Sequence, residues 1–328
     1  MTQLRAGILG MGVMGRNHLR VLSNLEGVEL VGIADNINKN TEIPGTIKFV
    51  NSIEELIKIG IDYCVISVPT ILHEAMALKL IENQIHCLIE KPIAHTLESA
   101  KQIAYSAIHH EVIVGVGHVE RYNSALQQAR NRILDGELGT IYQIATRRQS
   151  PYPARISDVG VVSDLATHDI DLTSWLTKKK YTSVSANAAF RTGNKFEDLI
   201  TINGVLEDNV VVNHLVNWLS PMKERKIIIT GEKGTFVVDT LSSDLTYYEN
   251  GRIDVTQSKI AHFKGMTQGD IHSFAFEKPE PLFVEHCNFR DKILGLDSEI
   301  VSLDDGIRTV QVAEAIIESY QKLETIKI

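Results

Sequence analysis

The chain has 328 residues, 44% hydrophobic and 23% charged; this excludes a disordered or fibrous polymer and leaves room for about two domains. Lys and Arg number 33 against 41 Asp and Glu, a formal net charge of −8. That sign is wrong for a protein that grips a phosphate backbone over a wide surface, so nucleic acid is not expected as a partner. Cys64, Cys87 and Cys287 form no C-x-x-C pair and suggest free thiols in a reducing, cytoplasmic setting. No apolar run of about 18 residues and no signal-peptide core occurs, so neither a membrane span nor export is expected.

Residues 6–9 read as an apolar strand, 16–25 as a helix with His18, Leu19, Val21 and Leu22 on its apolar side, and 28–34 and 47–50 as further strands. A helix over 53–57 starting near Ser52, a strand at 63–68, a helix over 72–83, a strand at 86–89, a helix over 97–109 and a strand at 112–116 continue the rhythm. Near-continuous apolar strands alternating with amphipathic helices predict an α/β fold, a doubly wound parallel sheet of Rossmann type. Beyond about residue 120 the rhythm changes. A helix over 125–135, a strand-like run at 141–148 and a helix near Asp164 precede runs at 183–190, 198–205, 210–218, 226–230 and 235–239. Helices over 281–294 and 304–322 close the chain. Strands in succession predict an α+β domain with a mostly antiparallel sheet. The expected division is 1–120 for dinucleotide binding and 121–328 for the substrate, with the active site between the two. Gly231-Glu232-Lys233-Gly234 lies between two strand-like runs and reads as a hairpin turn rather than a phosphate loop.

Gly10-Met11-Gly12-Val13-Met14-Gly15 follows the first strand directly and opens the first helix. Gly10 permits the tight turn, Gly12 lets the backbone approach a pyrophosphate, and Gly15 lets helix and strand pack closely; Val13 and Met14 lie at the helix N-terminus that faces the anion. Asp35, 20 residues beyond Gly15, ends the second strand. There it can accept hydrogen bonds from the adenosine ribose hydroxyls, and it repels a 2′-phosphate. Asn36 and Ile37 follow instead of an arginine, so NAD is expected over NADP, with Lys39 the nearby cation that speaks against it.

Ser67, Pro69, Thr70 and His73 stand at the carboxyl end of the fourth strand, where such sheets dock ligands, and are assigned to the cofactor pocket. His73 has a second reading, a partly exposed histidine at a helix start. Glu90-Lys91-Pro92 ends the fifth strand at the same edge, which puts an ammonium where a nicotinamide would lie and where it can polarise a reacting hydroxyl. Taken alone, the tripeptide is also a common surface turn. Asp164 and His168 are four residues apart, one turn along one face of a helix. Alcohol oxidation by hydride transfer needs a base for the hydroxyl proton: His168 suits that role, Lys91 that of polarising the oxygen, and Asp164 that of positioning substrate or relaying the proton. A helix-capping Asp with a core His is the plainer alternative. No second histidine stands at metal spacing, so no metal is expected.

The ordered set Gly10-x-Gly12-x-x-Gly15, Asp35, Pro69-Thr70-x-x-His73, Glu90-Lys91-Pro92 and Asp164-x-x-x-His168 resembles the glucose-fructose oxidoreductase / inositol dehydrogenase (Gfo/Idh/MocA) family over essentially the whole chain. The resemblance implies a Rossmann domain followed by a domain with an open-faced, mostly antiparallel sheet. It further implies NAD(P)-dependent oxidation of a sugar-like alcohol, a lysine that often precedes a cis-proline, and homodimers or homotetramers built through the second sheet.

Arg121, Tyr122 and Asn123 lie between the expected domains, and Arg147, Arg148, Tyr152 and Arg155 fall within nine residues ahead of Asp164. Arginine forks bind phosphate oxygens bidentately, so this basic cluster on an acidic protein suggests a diphosphate-bearing substrate; a solvated charged loop is the alternative. Arg121, Tyr122, Asn123, Arg148, Tyr152, Arg155, Asp164 and His168 are assigned to the substrate. The stretch 147–176 looks like the family branch that oxidises UDP-N-acetylglucosamine or its uronic acid at C3, although Val159, Val161 and Val162 stand where the family often has glycines. That likeness implies NAD-dependent oxidation of the C3 hydroxyl of a UDP-N-acetylhexosamine to the 3-keto sugar nucleotide. A dehydrogenase of a free sugar or a polyol such as inositol is the alternative within the class. A non-catalytic NAD-binding regulator is the alternative outside it, and the presence of Lys91, Asp164 and His168 argues against that.

Overall fold

The computed structural model describes residues 3–36, 45–153, 159–193, 195–251 and 267–328. In chain order these form β1 (Leu4–Leu9), α1 (Val13–Leu22), β2 (Val28–Ala34), β3 (Lys48–Val50), α2 (Ile53–Lys58), β4 (Tyr63–Ile66), α3 (His73–Glu82), β5 (His86–Glu90), α4 (Leu97–His109) and β6 (Val114–Gly117). There follow α5 (Ser124–Leu134), β7 (Ile141–Gln149), α6 (Thr167–Thr177), β8 (Tyr181–Ala189), β9 (Leu199–Leu206), β10 (Val211–Asn217), β11 (Glu224–Gly231), β12 (Gly234–Asp239), β13 (Asp244–Gly251) and β14 (Thr267–Ser273). The chain closes with α7 (Pro281–Ile293), α8 (Leu303–Lys322) and β15 (Ile326–Lys327).

These elements fall into two units, Met1–Tyr122 with Glu280–Glu314, and Asn123–Pro279 with Ala315–Ile328. The first carries a parallel sheet in the order β3-β2-β1-β4-β5-β6. The order reverses between β1 and β4, the switch point at which doubly wound sheets bind dinucleotides. A parallel sheet needs cover on both faces. On one face Leu56, Ala77, Leu80, Ile81 and Ile103 from α2, α3 and α4 pack on Ile66 and Ile89. On the other, Leu19 and Leu22 of α1 join Ile8, Ile33, Tyr63 and Phe289. Side-chain oxygens of Ser52 and Thr96 cap α2 and α4 by accepting the Glu55 and Ser99 N–H groups, the usual remedy for unmet donors at a helix start.

Phe289 belongs to α7, and its ring lies edge-on to Tyr63 with centroids 5.5 Å apart. The expected assignment of all of 121–328 to one second domain is therefore corrected, because residues 280–314 return to the first unit. The reason is packing: α1 alone leaves part of that sheet face bare, and α7 covers Tyr63 and the side-chain-free Gly115 of β6.

The second unit carries a sheet ordered β14-β13-β12-β11-β7-β10-β9-β8-β15, antiparallel throughout except for the parallel pair β7–β10. Alternation along β7 buries Ile144, Thr146 and Arg148, while Gln143, Ala145 and Arg147 point to the opposite face. On that second face Gln143 donates to Asn213 at 2.6 Å and Asn213 to Asn203 at 2.5 Å. Val211, Ile228, Tyr248 and Ile271 are exposed there. Sequence reading did not find β13, β14 or the short β15; β13 mixes Asp, Asn and Gly with its tyrosines and shows no clean apolar alternation.

Candidate active site

The turn from β1 into α1 is shaped around its glycines. Gly10 has φ +96°, and a Cβ there would press on the Ser67 carbonyl. A Cβ on Gly15 would collide with the Gly10 carbonyl oxygen, whereas a Cβ on Gly12 would meet nothing within 4 Å. Gly12 sits at the N-cap of α1, and no side chain caps that helix. Ser67 Oγ donates to the Gly10 carbonyl at 2.8 Å and steadies the turn. Val13 is exposed and Met14 half-buried. The Met11 N–H donates to Asp35 Oδ2 at 2.6 Å, which fixes the carboxylate at the end of β2. An uncapped helix start beside open space at Gly12, with a carboxylate held next to it, fits a dinucleotide pyrophosphate and its ribose. Ile37 and Lys39 lie outside the described residues.

His73 is buried, not partly exposed. Its Nδ1 lies 2.9 Å from the Pro92 carbonyl oxygen and its Nε2 2.9 Å from that of Val68, so the ring ties the exit of β4 to the segment after β5. Burial pulls its pKa below the usual imidazole value. Pro69 is exposed and Thr70 half-buried beside it. Lys91 is half-buried and precedes Pro92 through a cis peptide bond. Glu90 is 7% exposed. Burial alone would raise its pKa, but the hydrogen bond from His18, the charge of Lys91 and the Lys91 N–H together hold it below the ordinary carboxylate value.

The segment that carries Asp164 and His168 departs from the expected regular helix. Val162–Ala166 forms a π-helical turn, and α6 starts at Thr167, whose N–H reaches the Val162 carbonyl. Such turns are rare and frequent at functional sites. Asp164 is half-buried in the turn, and His168, 9% exposed, lies in the first turn of α6. Glu197 anchors the entry: its carbonyl accepts the Val161 N–H and its Oε1 the Val162 N–H, both at 3.0 Å. A Cβ on Gly160 would collide with the Glu197 carboxylate.

One residue beyond His168, Asp169 is 1% exposed and receives Arg148 Nε on both oxygens, at 3.1 and 3.2 Å. Below this pair Thr146 Oγ1 lies 2.8 Å from His214 Nδ1, His214 Nε2 2.8 Å from the Tyr181 hydroxyl, and that hydroxyl 2.6 Å from Thr173 Oγ1. Thr173 in turn donates to the Asp169 carbonyl at 2.9 Å. Burial, and then the Arg148 charge, push His214 down to about 3, so its ring is neutral.

Arg147 and Arg148 do not share one face. Neighbours on a strand point to opposite faces: Arg147 stands exposed near Glu224, at 3.4 Å, and Arg148 is engaged with Asp169. Arg155 lies outside the described residues. Arg121 is also buried, with Nη1 3.1 Å from Asp305 Oδ2. Burial alone would raise the Asp305 carboxyl, but Arg121, Arg308 and Ser302 outweigh it and hold it at about 2. Tyr122 is buried; Asn123 accepts the Ala125 N–H as the cap of α5 and donates to the Thr240 carbonyl and Ser243 Oγ. Of the expected substrate set, Arg121, Tyr122, Asn123 and Arg148 are buried. Tyr152 is half-buried with its ring edge-on to Trp218, centroids 5.7 Å apart. Asp169 and Glu197 went unnoticed in the sequence, because nothing local reveals a partner 21 or 35 residues away.

Two family models match the chain. Residues 4–118 match an oxidoreductase family with an NAD-binding Rossmann fold, and residues 126–237 match the GFO/IDH/MocA C-terminal domain. The UDP-N-acetylglucosamine 3-dehydrogenase of Acidithiobacillus ferrooxidans is 27% identical over 76% of this chain and 79% of that protein. The scyllo-inositol 2-dehydrogenase (NAD(+)) of Bacillus subtilis is 31% identical over 56% of this chain and 57% of its own. The solved structure of the Acidithiobacillus enzyme superposes with a TM-score of 0.83 at 23% identity, covering 98% of this chain and 99% of that one, a likeness of fold. With both halves matched, the chain belongs to the Gfo/Idh/MocA family of NAD-binding oxidoreductases.

Proposed function

We propose that the protein is an NAD-dependent dehydrogenase that oxidises the C3 hydroxyl of a UDP-N-acetylhexosamine, either UDP-N-acetylglucosamine or its uronic acid, to the 3-keto sugar nucleotide. The observation that carries the choice of substrate is the 27% identity to the UDP-N-acetylglucosamine 3-dehydrogenase over 76% of the chain. NAD is favoured over NADP because the Asp35 carboxylate, held by the Met11 N–H, repels a 2′-phosphate. In this reading Gly10, Gly12, Val13, Met14 and Gly15 receive the pyrophosphate, Asp35 the ribose, and Ser67, Pro69, Thr70, His73, Glu90 and Lys91 border the rest of the cofactor. Bound NAD supplies the hydride acceptor.

As the substrate carbinol becomes a carbonyl, its C–H hydrogen leaves as hydride and its hydroxyl proton passes to His168. The Lys91 ammonium stabilises charge that builds on the oxygen. Asp164 positions the substrate or passes the proton onward. Tyr152 and Arg155 remain for the nucleotide, while Arg148 acts through Asp169 on the helix that carries His168. A free polyol is the second reading, favoured by the withdrawal of Arg148 into a buried pair and by the scyllo-inositol 2-dehydrogenase relative.

The test is NADH absorbance with purified protein, excess NAD and a panel of UDP-N-acetylglucosamine, its uronic acid, UDP-glucose, inositol and glucose. A keto-acid acceptor and a coupled aminotransferase guard against an unfavourable equilibrium. Turnover confined to UDP-N-acetyl sugars supports the proposal; turnover confined to free polyols keeps the chemistry and removes the nucleotide sugar. We also propose a homodimer or homotetramer through the open face around Val211, Ile228, Tyr248 and Ile271, and a cytoplasmic location, in keeping with three unpaired cysteines.

A further inference from the structure

Behind Lys91, wholly within the first unit, four buried titratable side chains come together: Glu90 at the end of β5, His18 on α1, and Glu285 and His286 on α7. Glu90 Oε2 accepts the Lys91 N–H at 3.1 Å, and Glu90 Oε1 lies 3.0 Å from His18 Nε2. His18 Nδ1 lies 2.8 Å from His286 Nε2, the two rings crossing edge-on.

Donor and acceptor follow from what is left over. Burial holds His286 well below the ordinary imidazole value, so its ring is neutral and carries one N–H. Its Nδ1 is buried and has no hydrogen-bond partner among the described residues. A proton on Nδ1 would leave a buried donor unmet, whereas a proton on Nε2 leaves only a lone pair there and gives His18 Nδ1 a donor. His286 Nε2–H therefore donates to His18, and His18 Nε2–H donates to Glu90. Burial and the Glu90 charge push the Glu285 carboxyl well up. The carboxyl of Glu90, by contrast, is held low, so Glu90 carries a negative charge in the cluster.

We infer that His18 and His286 are positioning residues for the Lys91 step: the directed chain from His286 through His18 to Glu90 holds the Glu90 carboxylate on the Lys91 N–H and fixes the point from which the lysine side chain sets out. This rests on the reading of Lys91 as the group that polarises the reacting oxygen. An apolar side chain would fill the His18 site, fully buried as it is, but would leave Glu90 Oε1 without a donor.

The experiment uses the full-length protein and a substrate that it turns over. His18→Leu lowers kcat about 10²-fold, the scale of an ångström-sized misplacement of a catalytic group, while NAD affinity is retained. His18→Gln keeps an N–H where Nε2 stands and recovers most of kcat. Equal kcat in the two variants, or a loss that appears in NAD affinity and KM instead, overturns the inference. Nitrogen NMR of histidine-labelled wild-type protein at neutral pH gives a reading that needs no variant to fold. Both rings are expected as neutral tautomers protonated on Nε2; an imidazolium at His18, or a proton on Nδ1 of either ring, overturns the chain. If no substrate turns over, or Lys91→Ala keeps full kcat, the dehydrogenase reading fails by itself, and the tautomers still decide the chain.

Discussion

The carboxylate of Asp35 accepts the Met11 N–H at 2.6 Å, and the proposed preference for NAD rests on its charge. Asp35→Ser removes the charge that repels a 2′-phosphate. The ratio of kcat/KM with NADP to that with NAD is expected to rise at least about tenfold, or about 1.4 kcal/mol, in initial-rate assays with both cofactors; an unchanged ratio would remove Asp35 from the ribose site. Lys91→Ala is expected to lower kcat by about 10²-fold or more, as for other electrostatic stabilisers of a developing oxyanion, with a much smaller change in NAD binding by fluorescence titration. His214 governs acid stability. Its folded value of about 3 lies below the unfolded value of about 6.5, so between them the folded state binds fewer protons than the unfolded one. Stability from this group is complete above about 6.5 and is lost as pH falls toward its folded value, by up to about 1.4 kcal/mol per pH unit. Thermal melts of His214→Gln should therefore fall less steeply than wild type from neutral pH to about 4. Parallel curves would mean that His214 is charged in the fold.

At the scale of the element, α6 and its π-helical entry depend on residues remote in sequence. Arg148 on β7 neutralises Asp169, and Glu197 takes the first N–H groups of the turn. Arg148→Met removes the cation paired with the buried Asp169, which costs about 3–5 kcal/mol by the measure of other broken buried pairs, and it loosens the helix that presents His168. Urea denaturation should register that loss and initial rates a lower kcat, whereas loss of UDP-sugar affinity with full stability would return Arg148 to the substrate. The contrast between Arg147 and Arg148 shows why the segment misled. Clustering along the chain suggested one basic patch, but a strand sends successive side chains to opposite faces, and only the ladder with β10 and β11 determines which face is covered.

Taken as a whole, the molecule presents one described sheet face on which Val211, Ile228, Tyr248 and Ile271 stand exposed among polar ladders. The proposed assembly uses this face. Light scattering after gel filtration is expected to give a dimer or tetramer for the wild type, and a monomer for Val211→Asp combined with Ile228→Asp. A monomeric wild type would dismiss the assembly. No helix among the described residues is long and apolar enough to cross a membrane.

The parallel sheet, its switch point and the glycine turn were legible because each rests on local signals: apolar runs of strand length, helix periodicity, and glycines where a Cβ at Gly10 or Gly15 would strike backbone. The motif residues Asp35, Lys91, Asp164 and His168 could be singled out for the same reason, since each sits at a fixed offset within one βα unit or one turn. Contacts over long separations were not legible. Tyr63 meets Phe289, Arg121 meets Asp305, and His18 meets His286, 268 residues on. Whether a histidine or arginine faces ligand or interior depends on which partner the fold delivers, and burial makes that partner decisive because an unpaired charge or donor there costs several kcal/mol. By itself the sequence determined the family and the chemistry-bearing motifs of the chain; only the tertiary structure decided which of its polar side chains are buried against one another, because the partners that satisfy them lie far apart along the chain.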